Sequence, residues 1–175
     1  AGARHVALLR GINVGGKNKL PMKGLTALFE GLGCGAVRTY IQSGNVVFAA
    51  DSPPDAGDLG AALGRALDRE LIVMVRTGAY LRAMLDATPF PSVPPSARHI
   101  GFLAAAPARS TIEGLDLAAF APEEAVILGA EAHVHLPTGM GRAKLPLHLG
   151  RVLDEDVTYR NWNTVTKLAE LAGAP

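Results

Sequence analysis

The sequence predicts an α+β protein of two ferredoxin-like halves. Each is a split βαβ unit with an antiparallel sheet, followed by one extra helix. Three observations lead there. Apolar residues make up 49% of the 175 positions and charged residues 19%, which excludes a disordered chain and supplies a sizeable core. Two stretches repeat one order of elements: strand, helix, strand, strand, helix, strand, helix. Between them Pro89, Pro91, Pro94 and Pro95 fall within seven positions, which neither a helix nor a central strand tolerates. The expected boundaries are 1–88 for the first half, 89–97 for the Pro-rich joint, and 98–175 for the second half with its C-terminal helix.

In the first half, His5 to Arg10 reads as a short apolar strand ended by Gly11. A Gly-, Asn- and Lys-rich loop runs to Leu20, and Pro21 suits the first turn of a helix, where its missing donor is not needed. Met22, Leu25, Leu28, Phe29 and Leu32 recur at helical spacing until Gly33. Val37–Ile41 and Asn45–Ala49 read as strands joined by the turn Gln42-Ser43-Gly44. Leu59, Leu63, Ala66 and Leu67 form a helical stripe. Leu71–Arg76 reads as a buried strand, and Tyr80, Leu81, Met84 and Leu85 as a helix. The second half follows with a strand at His99–Ala104, a helix at Thr111–Phe120, and strands at Glu124–Leu128 and His133–Leu136 around the turn Gly129-Ala130-Glu131. A helix at Leu145–Leu153, a strand at Val157–Arg160 and a helix at Trp162–Leu171 complete it.

The charges are near balance, 17 basic against 16 acidic, which argues against a wholly basic nucleic-acid binder. They are unevenly placed. Residues 1–50 hold six basic side chains and one acidic, a net +5, and the rest of the chain nets −4. Such a field either spreads over a solvated surface or attracts an anionic ligand. One cysteine, Cys34, excludes a disulfide framework and a cysteine zinc cluster, and reads as a structural thiol. No apolar run approaches the roughly 20 residues of a membrane span, and no signal-peptide core precedes the first strand. A soluble cytoplasmic protein is the expectation.

Gly11 to Asn18 nearly fits the phosphate loop of nucleotide hydrolases. Asn18 stands where a hydroxyl must reach magnesium, Pro21 falls in the helix that should start at the lysine, and no later strand ends in a metal-holding aspartate. A weaker version stands beside a plain flexible loop. Gly15 and Gly16 can turn backbone N–H groups inward as an anion nest, with Lys17 and Lys19 adding charge. Gln42, Ser43 and Asn45 make a hairpin turn whose polar groups can also line a pocket. Arg160, Asn161, Trp162 and Asn163 open the last helix. An asparagine there is a good N-cap, while Arg and Trp together also suit recognition of phosphate and a base. His133 and His135 share one face of a strand, yet no nearby ligands complete a metal site, so no metal and no cofactor are expected. No nucleophile or acid–base pair is legible, which leaves catalytic residues unassigned.

Three strings are longer than chance spacing: Arg10-Gly-Ile-Asn-Val-Gly-Gly16, Tyr40-Ile-Gln-Ser-Gly-Asn-Val-Val47 and Arg160-Asn-Trp-Asn-Thr-Val165. Through them, in order and over nearly the whole chain, the sequence resembles the bacterial family known as domain of unknown function 1697. The resemblance implies a duplicated ferredoxin-like fold and carries over no catalytic residue. Lys144-Leu145 is similar to a Ser-Lys-Leu element of that family, with Ala143 in place of the serine.

Three classes of function compete. One is a module that binds an anionic small molecule or a nucleic-acid end; the others are an enzyme acting electrostatically on such a molecule, and a structural or partner-binding protein. Base stacking as in RNA-binding ferredoxin-like domains is disfavoured, because His5–Arg10 has no aromatic and the third strand only Phe48. The binding reading places Arg10, Asn13, Gly15, Gly16, Lys17, Asn18, Lys19, Gln42, Ser43, Asn45, Lys144 and Arg160 to Asn163 around one cationic, hydrogen-bonding site. Topology supports part of this, since the end of the first strand should meet the start of the third. Oligomeric state is not legible.

Overall fold

The computed structural model describes residues 2–10, 22–40, 44–68 and 70–173. It divides into two compact units, one formed by Ala1–Met84 with Lys167–Pro175 and the other by Leu85–Thr166. The first unit runs β1 (Ala3–Arg10), α1 (Met22–Gly31), β2 (Gly35–Thr39), β3 (Asn45–Ala50), α2 (Ala56–Leu67), β4 (Ile72–Thr77) and α3 (Gly78–Asp86), whose last two residues group with the second unit. Its sheet has the order β2-β3-β1-β4, and every neighbouring pair is antiparallel.

The central strand explains the architecture. Ala7 lies opposite Val46 and Val75, and Leu9 opposite Val73, so these side chains share one face. They pack in one core with Phe48, with Leu25 and Phe29 of α1, and with Leu59 and Leu63 of α2. Phe29 and Phe48 are fully buried, each contributing roughly 2–3 kcal/mol by removal from water. Val6, Leu8, Val47 and Met74 on the opposite face are buried too. A strand shielded on both faces reads as a continuous apolar run, which is how His5–Arg10 appears in sequence. Asp55 caps α2 by accepting from the Gly57 and Asp58 N–H groups at 2.8 and 3.2 Å.

The second unit runs β5 (Arg98–Leu103), α4 (Arg109–Glu113), β6 (Glu124–Leu128), β7 (Glu131–His135), α5 (Leu145–Val152), β8 (Val157–Asn161) and the start of α6 (Trp162–Gly173), whose residues from Lys167 group with the first unit. Its sheet, β6-β7-β5-β8, repeats the first order. Leu103, Ala132 and Val134 form its core with Leu145, Leu149 and Leu153. Residues 88–94 hold no helix or strand, and a 3-10 turn at Pro95–Ala97 leads into β5.

Two expectations need correction. The helix expected at Thr111–Phe120 stops at Glu113, with Gly114, a poor helix former, as its C-cap; only a 3-10 turn, Ala118–Phe120, follows. The β6–β7 turn is two residues, Gly129-Ala130, so Glu131 belongs to the strand, opposite Leu128 and Phe102.

Candidate functional site

The end of β1 meets the start of β3, as the split βαβ order requires: Leu8 pairs with Asn45, and the Leu9 N–H donates to the Gly44 carbonyl at 2.8 Å. Arg10, two residues beyond Leu8, shares its sheet face with Asn45 and is exposed. Asn45 is fully buried, and its Nδ2 donates to the Tyr40 carbonyl at 2.9 Å, which ties the hairpin across its base. Asn13, Gly15, Gly16, Lys17, Asn18, Lys19, Gln42 and Ser43 lie outside the described residues.

The second unit gathers its charges on the sheet face opposite its apolar core. Registers place Arg98 and Phe102 of β5, Glu131, His133 and His135 of β7, and Thr158 and Arg160 of β8 on that face. Arg160 is 8% exposed, and its Nη1 donates to Thr158 Oγ1 at 2.7 Å and to the Tyr159 carbonyl at 2.9 Å. Burial lowers its pKa to about 10, so it stays cationic at neutral pH. His133 is 2% exposed with Nδ1 lacking a partner, and burial lowers its pKa to about 4; it is neutral at pH 7. His135 Nδ1 lies 3.0 Å from Glu124 Oε1. Among the described residues no group of three His, Cys, Asp or Glu is placed to hold a metal ion.

The Arg-Asn-Trp-Asn segment divides its work. Continuing the β5–β8 register sets Arg98 beside Trp162, and the guanidinium carbon stands 3.9 Å from the indole centroid. Arg98 Nε is buried with no hydrogen-bond partner, and desolvation lowers the pKa of the group. Asn161 Oδ1 accepts from the Thr164 N–H at 2.8 Å, capping α6, while Asn163 is exposed. Lys144 is exposed at the start of α5. Its N–H and that of Leu145 donate to the Glu123 carboxylate at 3.1 and 2.8 Å, so an acid from 21 residues upstream caps this helix. Cys34 is buried, and desolvation raises its pKa, which keeps it a thiol.

On the apolar face Tyr159 lies over Gly101, where a Cβ would come within 2.7 Å of the ring. The phenol oxygen is buried without a partner, and its pKa is driven above the usual range by desolvation. Sequence reasoning missed Glu123, Glu131 and Arg98. Only Arg98 had a local signal, a charge heading an apolar strand.

Two antiparallel sheets of identical strand order, each with helices from the split βαβ pattern, define a duplicated ferredoxin-like α+β protein. The model of the family "Protein of unknown function (DUF1697)" matches residues 3–133, and the chain belongs to that family. Its fold is similar to that of the conserved bacterial protein SP0830 from Streptococcus pneumoniae, with 21% identity, a TM-score of 0.68, and coverage of 99% of this chain and 100% of that one. No curated protein matches the sequence. Among the described residues no helix is long and apolar enough to cross a membrane.

Proposed function

We propose that this protein binds an anionic, phosphate-bearing ligand, such as a nucleotide or a nucleic-acid end. The observation that supports the reading is the exposed Arg10 at one end of the first sheet. Arg10, exposed, shares a face with Asn45 at the point where the Gly- and Lys-rich stretch leaves β1, within a third of the chain that nets +5. Lys17 and Lys19 would add charge there and Gly15-Gly16 backbone donors. In the second unit, Arg160 stays charged while buried, and a guanidinium held in a low-dielectric setting interacts more strongly with an anion than one in water.

The test is a thermal-shift screen against nucleotides, phosphorylated metabolites and short oligonucleotides. A ligand at 100 times its Kd stabilises the native state by about 2.7 kcal/mol. Lys17→Ala and Arg160→Ala should each weaken the best hit by about 1–3 kcal/mol, with circular dichroism confirming the fold. No hit in any class, or hits unaffected by both changes, would refute the reading.

A further inference from the structure

We propose that the first unit holds a second anion site, at the far end of its sheet from the glycine loop, which takes a small molecule bearing a phosphate monoester. It stands on residues separate from those of the proposed function. A cavity of about 600 Å³ opens between the start of β1, the start of α3 and the last turn of α6, lined by Arg4, Thr77, Gly78, Arg82, Glu170 and Ala172 among others. That volume lies within the range of small-molecule sites. All of these residues belong to the first unit.

The wall is cationic. Arg4 Nη1 donates to the Leu171 carbonyl at 3.2 Å, which fixes that guanidinium at the rim and leaves its other N–H donors for a ligand. Arg82 stands one helical turn beyond Gly78 and is exposed; no acceptor among the described residues takes its guanidinium. The opposing carboxylate, Glu170, has Oε2 3.8 Å from Lys167 Nζ, so its charge is partly balanced outside the cavity. Thr77 Oγ1 accepts from the Tyr80 N–H at 3.0 Å, which leaves the hydroxyl hydrogen to donate. The floor is tight, since a Cβ on Gly78 would come within 2.6 Å of the Ala172 carbonyl. Two guanidinia and a hydroxyl donor suit a phosphate, whose several oxygens accept bidentate pairs from arginine. Arg4 and Arg10 are six strand residues apart, about 20 Å, so the two ends of the sheet can be tested separately.

The experiment is an NMR titration of the whole chain with pyrophosphate and with AMP. Saturable amide shifts should appear at Thr77–Arg82 and Ala169–Ala172. Arg82→Gln should raise the Kd read from those shifts by about tenfold or more, Arg82→Lys should restore part of the affinity, and Lys17→Ala should leave these shifts unchanged. The proposal is overturned if neither probe produces saturable shifts there, if Arg82→Gln binds as tightly as the parent, or if Lys17→Ala removes the same shifts. Loss of binding only in Lys17→Ala would leave the glycine-loop reading standing and this one refuted.

Discussion

Gly44→Ala should destabilise the first unit out of proportion to the single methyl it adds. Gly44 sits at φ +87°, a conformation that costs an L-residue about 1–2 kcal/mol. The added Cβ would also stand 2.9 Å from the Leu9 carbonyl oxygen and 3.0 Å from Leu9 Cβ. Both are parts of the central strand and cannot swing aside like a side-chain tip. Relief requires the hairpin to move off β1, which stretches the 2.8 Å bond from the Leu9 N–H to the Gly44 carbonyl, worth about 1 kcal/mol. Together these give a loss of about 2–4 kcal/mol, a large share of the 5–15 kcal/mol typical of a folded protein. Gly31→Ala is the matched control. Gly31 ends α1, and nothing lies within 4 Å of the position its Cβ would take, so the same methyl should be neutral or raise stability by up to about 1 kcal/mol. Urea denaturation with an unchanged m-value reads both differences. If Gly44→Ala lies within about 0.5 kcal/mol of the parent, or matches the control, the close approach of the hairpin to β1 is wrong.

Two further outcomes follow from buried ring groups. His133 has a native pKa of about 4 against an ordinary 6.5, so the unfolded chain binds the proton first and stability falls as pH drops from about 6.5 toward 4. The full effect is on the order of 3 kcal/mol; denaturation at pH 7 and pH 4.5 should show that His133→Gln flattens this dependence, and an unchanged slope would count against a sealed, neutral imidazole. Tyr159→Phe removes a buried hydroxyl with no partner and keeps the ring over Gly101, so it should be neutral or stabilising by up to about 1 kcal/mol, and a loss above that by the same assay would mean the hydroxyl is satisfied.

Apolar patterning located every strand among the described residues and most helices, because a half-buried element shows a period and one buried on both faces shows a continuous run. The errors fall where local composition and tertiary pairing disagree. Glu131 looks like a turn residue beside Gly129 and Ala130, yet pairing with Leu128 and Phe102 draws it into β7, where it is 1% exposed. Leu115, Leu117 and Phe120 supply the apolar content of the expected helix, but they pack on the core from a chain already broken at Gly114. The candidate site was legible only in part. A helix cap at Asn161 or Asn163 could be read because capping is local, and Asn161 is the one that caps α6. The Glu123 cap on α5 and the Arg98–Trp162 stack join residues 21 and 64 positions apart, and no local motif encodes such a pairing. Nor does the sequence show that Arg160 is buried, which is what sets its electrostatics apart from an ordinary surface arginine.

The Arg4–Leu171 hydrogen bond also has a temporal meaning. It joins residues 167 positions apart, and the first unit takes its last segment from Lys167 onward. During synthesis Met84 is made 83 residues before Lys167, an interval of roughly 4–17 seconds at the usual rate of about 5–20 residues per second. For that time all four strands of the first sheet have been made, while the helical segment from Lys167 that completes the unit does not yet exist and the second unit is still being translated. The unit that begins first therefore finishes last, and the Arg4–Leu171 bond can form only after the whole second unit has been made.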